Sequence, residues 1–177
     1  APVTINEQVT HQTIEGFGAH GSALIWWKAG TYYTDKFGEL VIGDLGFTMI
    51  RNEFYPCFEP TNENADPNDL DMSKFNYNGI FGTRQKDYII SMKNKAAALG
   101  EPLRWITSYW TPPAWMKTNN SETDGGHLKS TARPEFAEYA VATVRAYRER
   151  CGVDLYALSI QNESAFVEPY NSCVYTP

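Results

Sequence analysis

Leu158-Ser159-Ile160-Gln161-Asn162-Glu163 reads as the end of an apolar strand that runs straight into an amide and a carboxylate. A carboxylate at the end of a buried strand is costly unless chemistry needs it there. Working backwards from it, three more strand-like runs precede this one. The full set is expected at 13–18, 47–51, 103–108 and 155–160. Each pair brackets one helical pattern. The first is expected over 34–45, where Phe37, Leu40, Val41 and Leu45 recur at helical spacing and Gly46 stops the run. The second spans about 84–99, with Gly100 as its stop. The third has Pro134 near its first turn and Gly152 just past its end. A β-α-β-α-β-α-β order with right-handed crossovers makes all four strands parallel. The fold class is therefore α/β, and the layout is the first half of a (β/α)8 barrel.

The chain of 177 residues is long enough for a sizeable core, but a whole barrel takes about 250 residues. Strands one to four over 13–177 are the expected share. Residues 1–12, which alternate loosely around Asn6-Glu7, read as a strand outside the barrel. Net charge is −6, from 21 acidic and 15 basic side chains without a basic cluster, which argues against nucleic acid as a partner. No apolar run reaches the ~20 residues of a membrane span. The opening Ala1-Pro2-Val3-Thr4 has none of the charged and apolar regions of a signal peptide, which fits a processed N-terminus or a trimmed one. Cys57, Cys151 and Cys173 show no metal-ligand spacing. One bridge plus a free thiol, or a partner outside the chain, would fit their odd number. Cys151, at the end of a helical pattern, reads as a small buried apolar residue.

Active sites of parallel barrels lie at the C-terminal ends of the strands. The residues there are Gly18 to His20, Arg51 to Glu53, Ser108 to Trp115 and Gln161 to Glu163. They hold no cysteine nucleophile, phosphate-cradling glycine loop or metal cluster, so neither cofactor nor metal is expected. They do hold carboxylates, an arginine, an amide and flat rings. Glycoside hydrolysis needs a carboxyl group on each side of the scissile bond, and Glu163 is the candidate proton donor. Asn162 is placed to hydrogen-bond a sugar hydroxyl. Arg51 either orients a second carboxylate or forms a salt bridge at the rim. Tyr109, Trp110, Trp115 and Trp26 are candidates to line a sugar-binding cleft, because the apolar face of a pyranose stacks on a flat ring. Trp110 and Trp115 could equally be core under the Pro112-Pro113 turn. His20 and Glu53 read as rim residues.

Four stretches taken together resemble glycoside hydrolase family 30, a family of retaining (β/α)8 glycosidases. They are Ile14-Glu15-Gly16-Phe17-Gly18-Ala19, Met49-Ile50-Arg51, Ser108-Tyr109-Trp110-Thr111-Pro112-Pro113-Ala114-Trp115-Met116-Lys117 and Ala157-Leu158-Ser159-Ile160-Gln161-Asn162-Glu163. The resemblance implies that Glu163 is the acid/base, that Arg51 lies against the nucleophile, and that a glycosyl-enzyme intermediate forms. It also implies a β-sandwich side domain to which the N-terminal strand contributes. The expected activity is a secreted endo-β-glycanase acting on plant cell-wall polysaccharide, xylan first. A β-1,6- or β-1,4-glucanase, or another β-glycosidase of the family, is the alternative, and a non-catalytic carbohydrate-binding half-barrel is the alternative of another class.

Two departures from the family pattern stand out. Ser164 follows the glutamate where the family has proline, which is expected to loosen the loop. It also creates the sequon Asn162-Glu163-Ser164, although Asn119-Asn120-Ser121 is the better acceptor. The family's nucleophile, a glutamate ending strand seven, has no counterpart here. A second chain, a second copy or a remainder is therefore expected to complete the barrel.

Overall fold

The computed structural model describes residues 2–21, 35–79 and 81–175. Among them, four strands form one parallel sheet in chain order: β1 (Gly18–His20), β2 (Met49–Phe54), β3 (Arg104–Tyr109) and β4 (Leu155–Ser159). Helix α1 (Asp35–Gly38) runs on as π turns over Glu39–Asp44. Helix α2 (Lys86–Ala98) follows π turns over Phe81–Gln85. Helix α3 (Arg133–Ala146) leads into π turns over Tyr147–Cys151. Four neighbouring parallel strands wound in one direction, with helices between them, make an arc of a (β/α) barrel.

Pro134 sits in the first turn of α3, where its missing N–H costs nothing. Gly152 ends the following π turns at φ +62°, and its N–H bonds back to the Arg148 carbonyl. Gly18 has a different task. A Cβ there would lie 1.8 Å from the Met49 carbonyl oxygen, so only glycine lets β1 approach β2 this closely.

Alternation along the strands sorts two faces. Ile50, Asn52 and Phe54 of β2 and Trp105, Thr107 and Tyr109 of β3 are buried on the helix side. Phe54 is the hub of that core. Its ring centre lies 5.0 Å from Phe58, 5.1 Å from Phe81, 5.9 Å from Tyr147 and 6.1 Å from Tyr139. Contacts of this kind contribute about 0.5–1.5 kcal/mol each beyond area burial. The buried amide of Asn52 is satisfied. It donates to the Tyr147 hydroxyl at 2.8 Å and accepts from the Trp105 indole, while Tyr147 donates to Thr107 Oγ1 at 3.1 Å. That network ties β2, β3 and the end of α3 together.

Three of the four strands begin later than the sequence predicts, and β4 begins at Leu155 as expected. β1 keeps only three residues, because among the described residues it has one neighbour and residues 13–17 meet the start of β2 only at Phe17, whose carbonyl accepts from the Thr48 and Met49 N–H groups and whose N–H donates to Thr48 Oγ1. β2 was expected over 47–51 but runs to Phe54, since Asn52 and Phe54 both have partners on the helix side. Glu53 is therefore a buried strand residue and not a rim residue. Residues 2–17 carry no strand. A strand needs a partner, and no side-domain sheet lies among the described residues. No disulfide joins the three cysteines, and Cys151 and Cys173 are buried. No helix among the described residues is long and apolar enough to cross a membrane.

Candidate active site

The opposite face of the sheet carries Arg51, Glu53 and Ser108 at its C-terminal end. Arg51 is the centre of the group. Its Nη2 donates to Ser108 Oγ at 3.0 Å and to Asn162 Oδ1 at 2.8 Å. Its guanidinium carbon lies 4.8 Å from the centre of the Trp110 ring, and the His20 ring lies 5.3 Å from Trp110. Each strand thus contributes to the cluster: His20 at the end of β1, Arg51 within β2, Ser108 and Trp110 from β3 and its exit, and Asn162 after β4.

Glu163 is built into this cluster through its neighbour. The Asn162 N–H donates to the Tyr109 carbonyl at 2.7 Å, which extends the pairing of β3 and β4 past Ser159. Gln161 Nε2 donates to the Trp110 carbonyl at 2.7 Å. The chain then turns sharply at Glu163, whose φ is +48°. Non-glycine residues rarely adopt that region, and when held there they often belong to a site. The turn is closed by the Phe166 N–H on the Glu163 carbonyl at 3.0 Å and by the Tyr175 N–H on the Ser164 carbonyl at 2.9 Å. The loop is held at Ser164 despite the missing proline. Asn162 Nδ2 reaches Glu163 Oε2 at 3.3 Å. The carboxyl itself is exposed. Tyr156 of β4 and Ile160 just past it are half exposed as well.

Charge follows the same geometry. Burial pulls the Arg51 guanidinium below its usual value, while Glu163 and then Glu53 act in the opposite direction. Burial, and then the charge of Arg51, hold His20 below the usual imidazole range, which favours its neutral form. Tyr170 lies against Glu163. Burial, Glu168 and Glu163 all raise its hydroxyl above the usual value. Among the described residues no three His, Cys, Asp or Glu side chains are spaced to hold a metal ion.

The expected cleft residues divide. Trp110 joins the Arg51 cluster. Tyr109 does not: it follows Ser108 by one residue and so faces the helices. It is fully buried, its hydroxyl donates to Thr143 Oγ1 at 2.7 Å, and its ring packs on Phe136 and Tyr139. Tyr109 is core, and its assignment to substrate is corrected. Trp115 is half buried and packed on the core. Its indole N–H donates to the Glu59 carbonyl at 3.1 Å, and no hydrogen bond or ring contact joins it to Arg51 or Trp110. Trp26 lies outside the described residues. Sequence reading gave Ser108 no role, although its phase with Arg51 across paired strands was the available signal.

A model of the glycosyl hydrolase family 30 TIM-barrel domain matches residues 47–172. The endo-1,6-beta-D-glucanase of Neurospora crassa is 32% identical over 112 residues, covering 62% of this chain and 21% of its own length. Among solved structures, the family 30 subfamily 8 xylanase Xyn30A of Clostridium acetobutylicum superposes with a TM-score of 0.70 at 30% identity, over 97% of this chain and 38% of its own. SrfJ of Salmonella typhimurium gives a TM-score of 0.76 at 23% identity, over 93% and 38%, a likeness of fold alone. The chain spans about a fifth of the Neurospora relative and 38% of these solved chains, in keeping with four of eight barrel strands.

Proposed function

Because the chain belongs to glycosyl hydrolase family 30, we propose that it supplies the acid/base half of an endo-β-glycanase active site, with Glu163 as the proton donor. The observation that carries this reading is the Arg51 cluster. One guanidinium gathers residues from β2, β3 and β4 at the C-terminal edge of the sheet and places Asn162 beside Glu163. The Glu163 carboxyl would protonate the departing glycosidic oxygen while a carboxylate elsewhere in the barrel attacks the anomeric carbon. Glu163 would then take a proton from the water that hydrolyses the glycosyl-enzyme. Asn162 would donate to a sugar hydroxyl, and Trp110 would present a ring to the sugar's apolar face. Arg51 would face the second carboxylate.

The substrate we infer is a β-linked polysaccharide, with xylan first. Support for xylan is the 30% identity to the Clostridium acetobutylicum xylanase across 97% of this chain. The Neurospora relative, matched over 62%, makes β-1,6-glucan the competing substrate. A polymer of this size would be met outside the cell, so secretion belongs to the same proposal, as does a second half that completes the barrel.

Glu163→Gln in the complete enzyme tests the assignment. Hydrolysis of glycans, whose leaving groups need protonation, should fall ~100-fold or more, while aryl glycosides with acidic leaving groups should still form the glycosyl-enzyme. An equal small loss on both would remove Glu163 from the role. Reducing-sugar release from xylan and from a β-1,6-glucan, measured side by side, decides the substrate.

A further inference from the structure

A second cluster lies away from the Arg51 group, where the loop after β2 meets the start of α3. Four carboxyl groups gather there: Glu59 and Glu63 from the loop, Glu135 and Glu138 from the first turns of the helix. Glu59 and Glu138 are 2% and 6% exposed. Oxygens of Glu63, Glu135 and Glu138 are buried and find no N–H or O–H donor. The other Glu63 oxygen accepts from the Asp71 N–H at 3.0 Å, and the Glu59 carboxyl accepts from the Glu63 N–H. The charges that act most strongly on the cluster are its own, together with Asp66. Tyr139 of α3 faces Glu59 as a neutral phenol and donates to the Tyr55 carbonyl at 3.2 Å, with Cys57 and Glu122 also near it.

Two buried carboxyls, Glu59 and Glu138, beside the half-buried Glu63 and Glu135, need a cation or protons. No three of them are spaced to ligate a metal. Glu135 and Glu138 lie within hydrogen-bond reach of each other, and two carboxyls can bond only if one holds a proton. We propose that Glu59 and Glu138, packed against Glu63 and Glu135, are a proton-holding latch, closed in acid, that fastens the loop after β2 to α3 and through it positions Trp115. The link to Trp115 is direct, since its indole donates to the carbonyl of Glu59 itself.

The direction of the pH effect follows. Burial, and then the neighbouring carboxyls, lift Glu59 from about 4.5 to about 8 and Glu138 to about 7. The unfolded chain gives up these protons near pH 4.5 and the folded chain keeps them. The latch's stabilisation is complete below pH 4.5 and is lost as pH rises through about 7 and about 8. An enzyme with this device holds its β2 loop firmly in mildly acidic surroundings and loosens it in alkaline ones.

The test is a carbon-13 NMR titration of the glutamate side-chain carboxyls in the unmutated protein, with resonances assigned through the single Gln variants. At least two carboxyls should titrate above pH 6, and the Trp115 indole resonance should broaden or shift over the same range. The Glu59→Gln/Glu138→Gln double variant should have the same Tm as wild type at pH 5 and exceed it by roughly 5 °C or more at pH 8, with a Trp115 signal that no longer responds. Glutamates that all titrate below pH 5.5 would overturn the proposal. So would 5 mM calcium chloride at pH 8 raising the wild-type Tm by several degrees, which would make the cluster a cation site. No substrate is involved, so failure here is distinct from failure of the glycosidase reading.

Discussion

Arg51→Lys in the complete enzyme should cut kcat/KM for the preferred glycan roughly ten- to hundredfold while leaving the fold intact. The magnitude comes from counting what a lysine can replace. Arg51 uses one nitrogen, Nη2, to hold Ser108 Oγ at 3.0 Å and Asn162 Oδ1 at 2.8 Å, with the flat guanidinium against Trp110. A single ammonium keeps the charge that faces Glu53 and Glu163, but it cannot reproduce the planar group on Trp110 together with both bonds. Losing one hydrogen bond to a charged group costs about 1.5–3 kcal/mol, the stated factor in rate if the bond positions Asn162 for the transition state. Arg51→Ala should cost more, about 3–5 kcal/mol, because buried Glu53 then loses the cation beside it. Ser108→Ala removes one acceptor and leaves the Asn162 bond, so its loss should stay below about tenfold.

The assay is initial-rate hydrolysis of a defined oligosaccharide for the single variants and for the Arg51→Lys/Ser108→Ala pair, with urea unfolding as the stability control. The double variant should lose less than the product of the two single losses, because both remove the same contact. Arg51→Lys within twofold of wild type, at unchanged stability, would refute the claim that the guanidinium positions Asn162 and Glu163. Strictly multiplicative losses would refute the Ser108 link.

Two further outcomes follow from the buried side. Tyr109→Phe removes only a hydroxyl that bonds Thr143, which still donates to the Tyr139 carbonyl at 2.9 Å. It should lower stability by about 1 kcal/mol and leave KM unchanged, and a changed KM at constant stability, seen in parallel urea melts and kinetics, would return Tyr109 to the cleft. Gly18→Ala forces a Cβ against the Met49 carbonyl, so β1 must separate from β2. A loss of about 1–3 kcal/mol is expected from thermal unfolding, with a fall in activity because β1 carries His20 toward Trp110; an unchanged Tm would mean that β1 tolerates the displacement.

The barrel arc was legible because its signals are local. Pro134 and Gly152 bracket one helix, Gly100 stops another, and apolar runs recur between them. Glu163 was legible for the same reason, as the first carboxylate past the Leu158-Ser159-Ile160 run. Its left-handed φ was not, since the turn is held by the Asn162 N–H on the Tyr109 carbonyl and by N–H groups arriving from Phe166 and Tyr175. The carboxyl latch was out of reach as well. Glu59 and Glu138 lie far apart in the chain, and nothing in either segment alone says that the β2 loop folds back onto α3.

Tyr109 shows where local reading breaks down most sharply. Side chains in a strand change faces at every residue, so a boundary placed one residue early turns a core ring into a cleft ring. Ending β3 at Ser108 made Tyr109 the first residue of a loop, free to face sugar. Pairing with Phe54 extends the strand by that one residue and sends the ring to Thr143. Trp110 lies beyond the last pair, and its ring meets Arg51 and His20 instead. The same rule reassigns Glu53: once β2 runs to Phe54, its side chain shares the face of Arg51 and Ser108. The site is therefore defined by strand phase as much as by residue type, and Ser108, the least conspicuous residue in its motif, is the one whose phase brings it to the guanidinium.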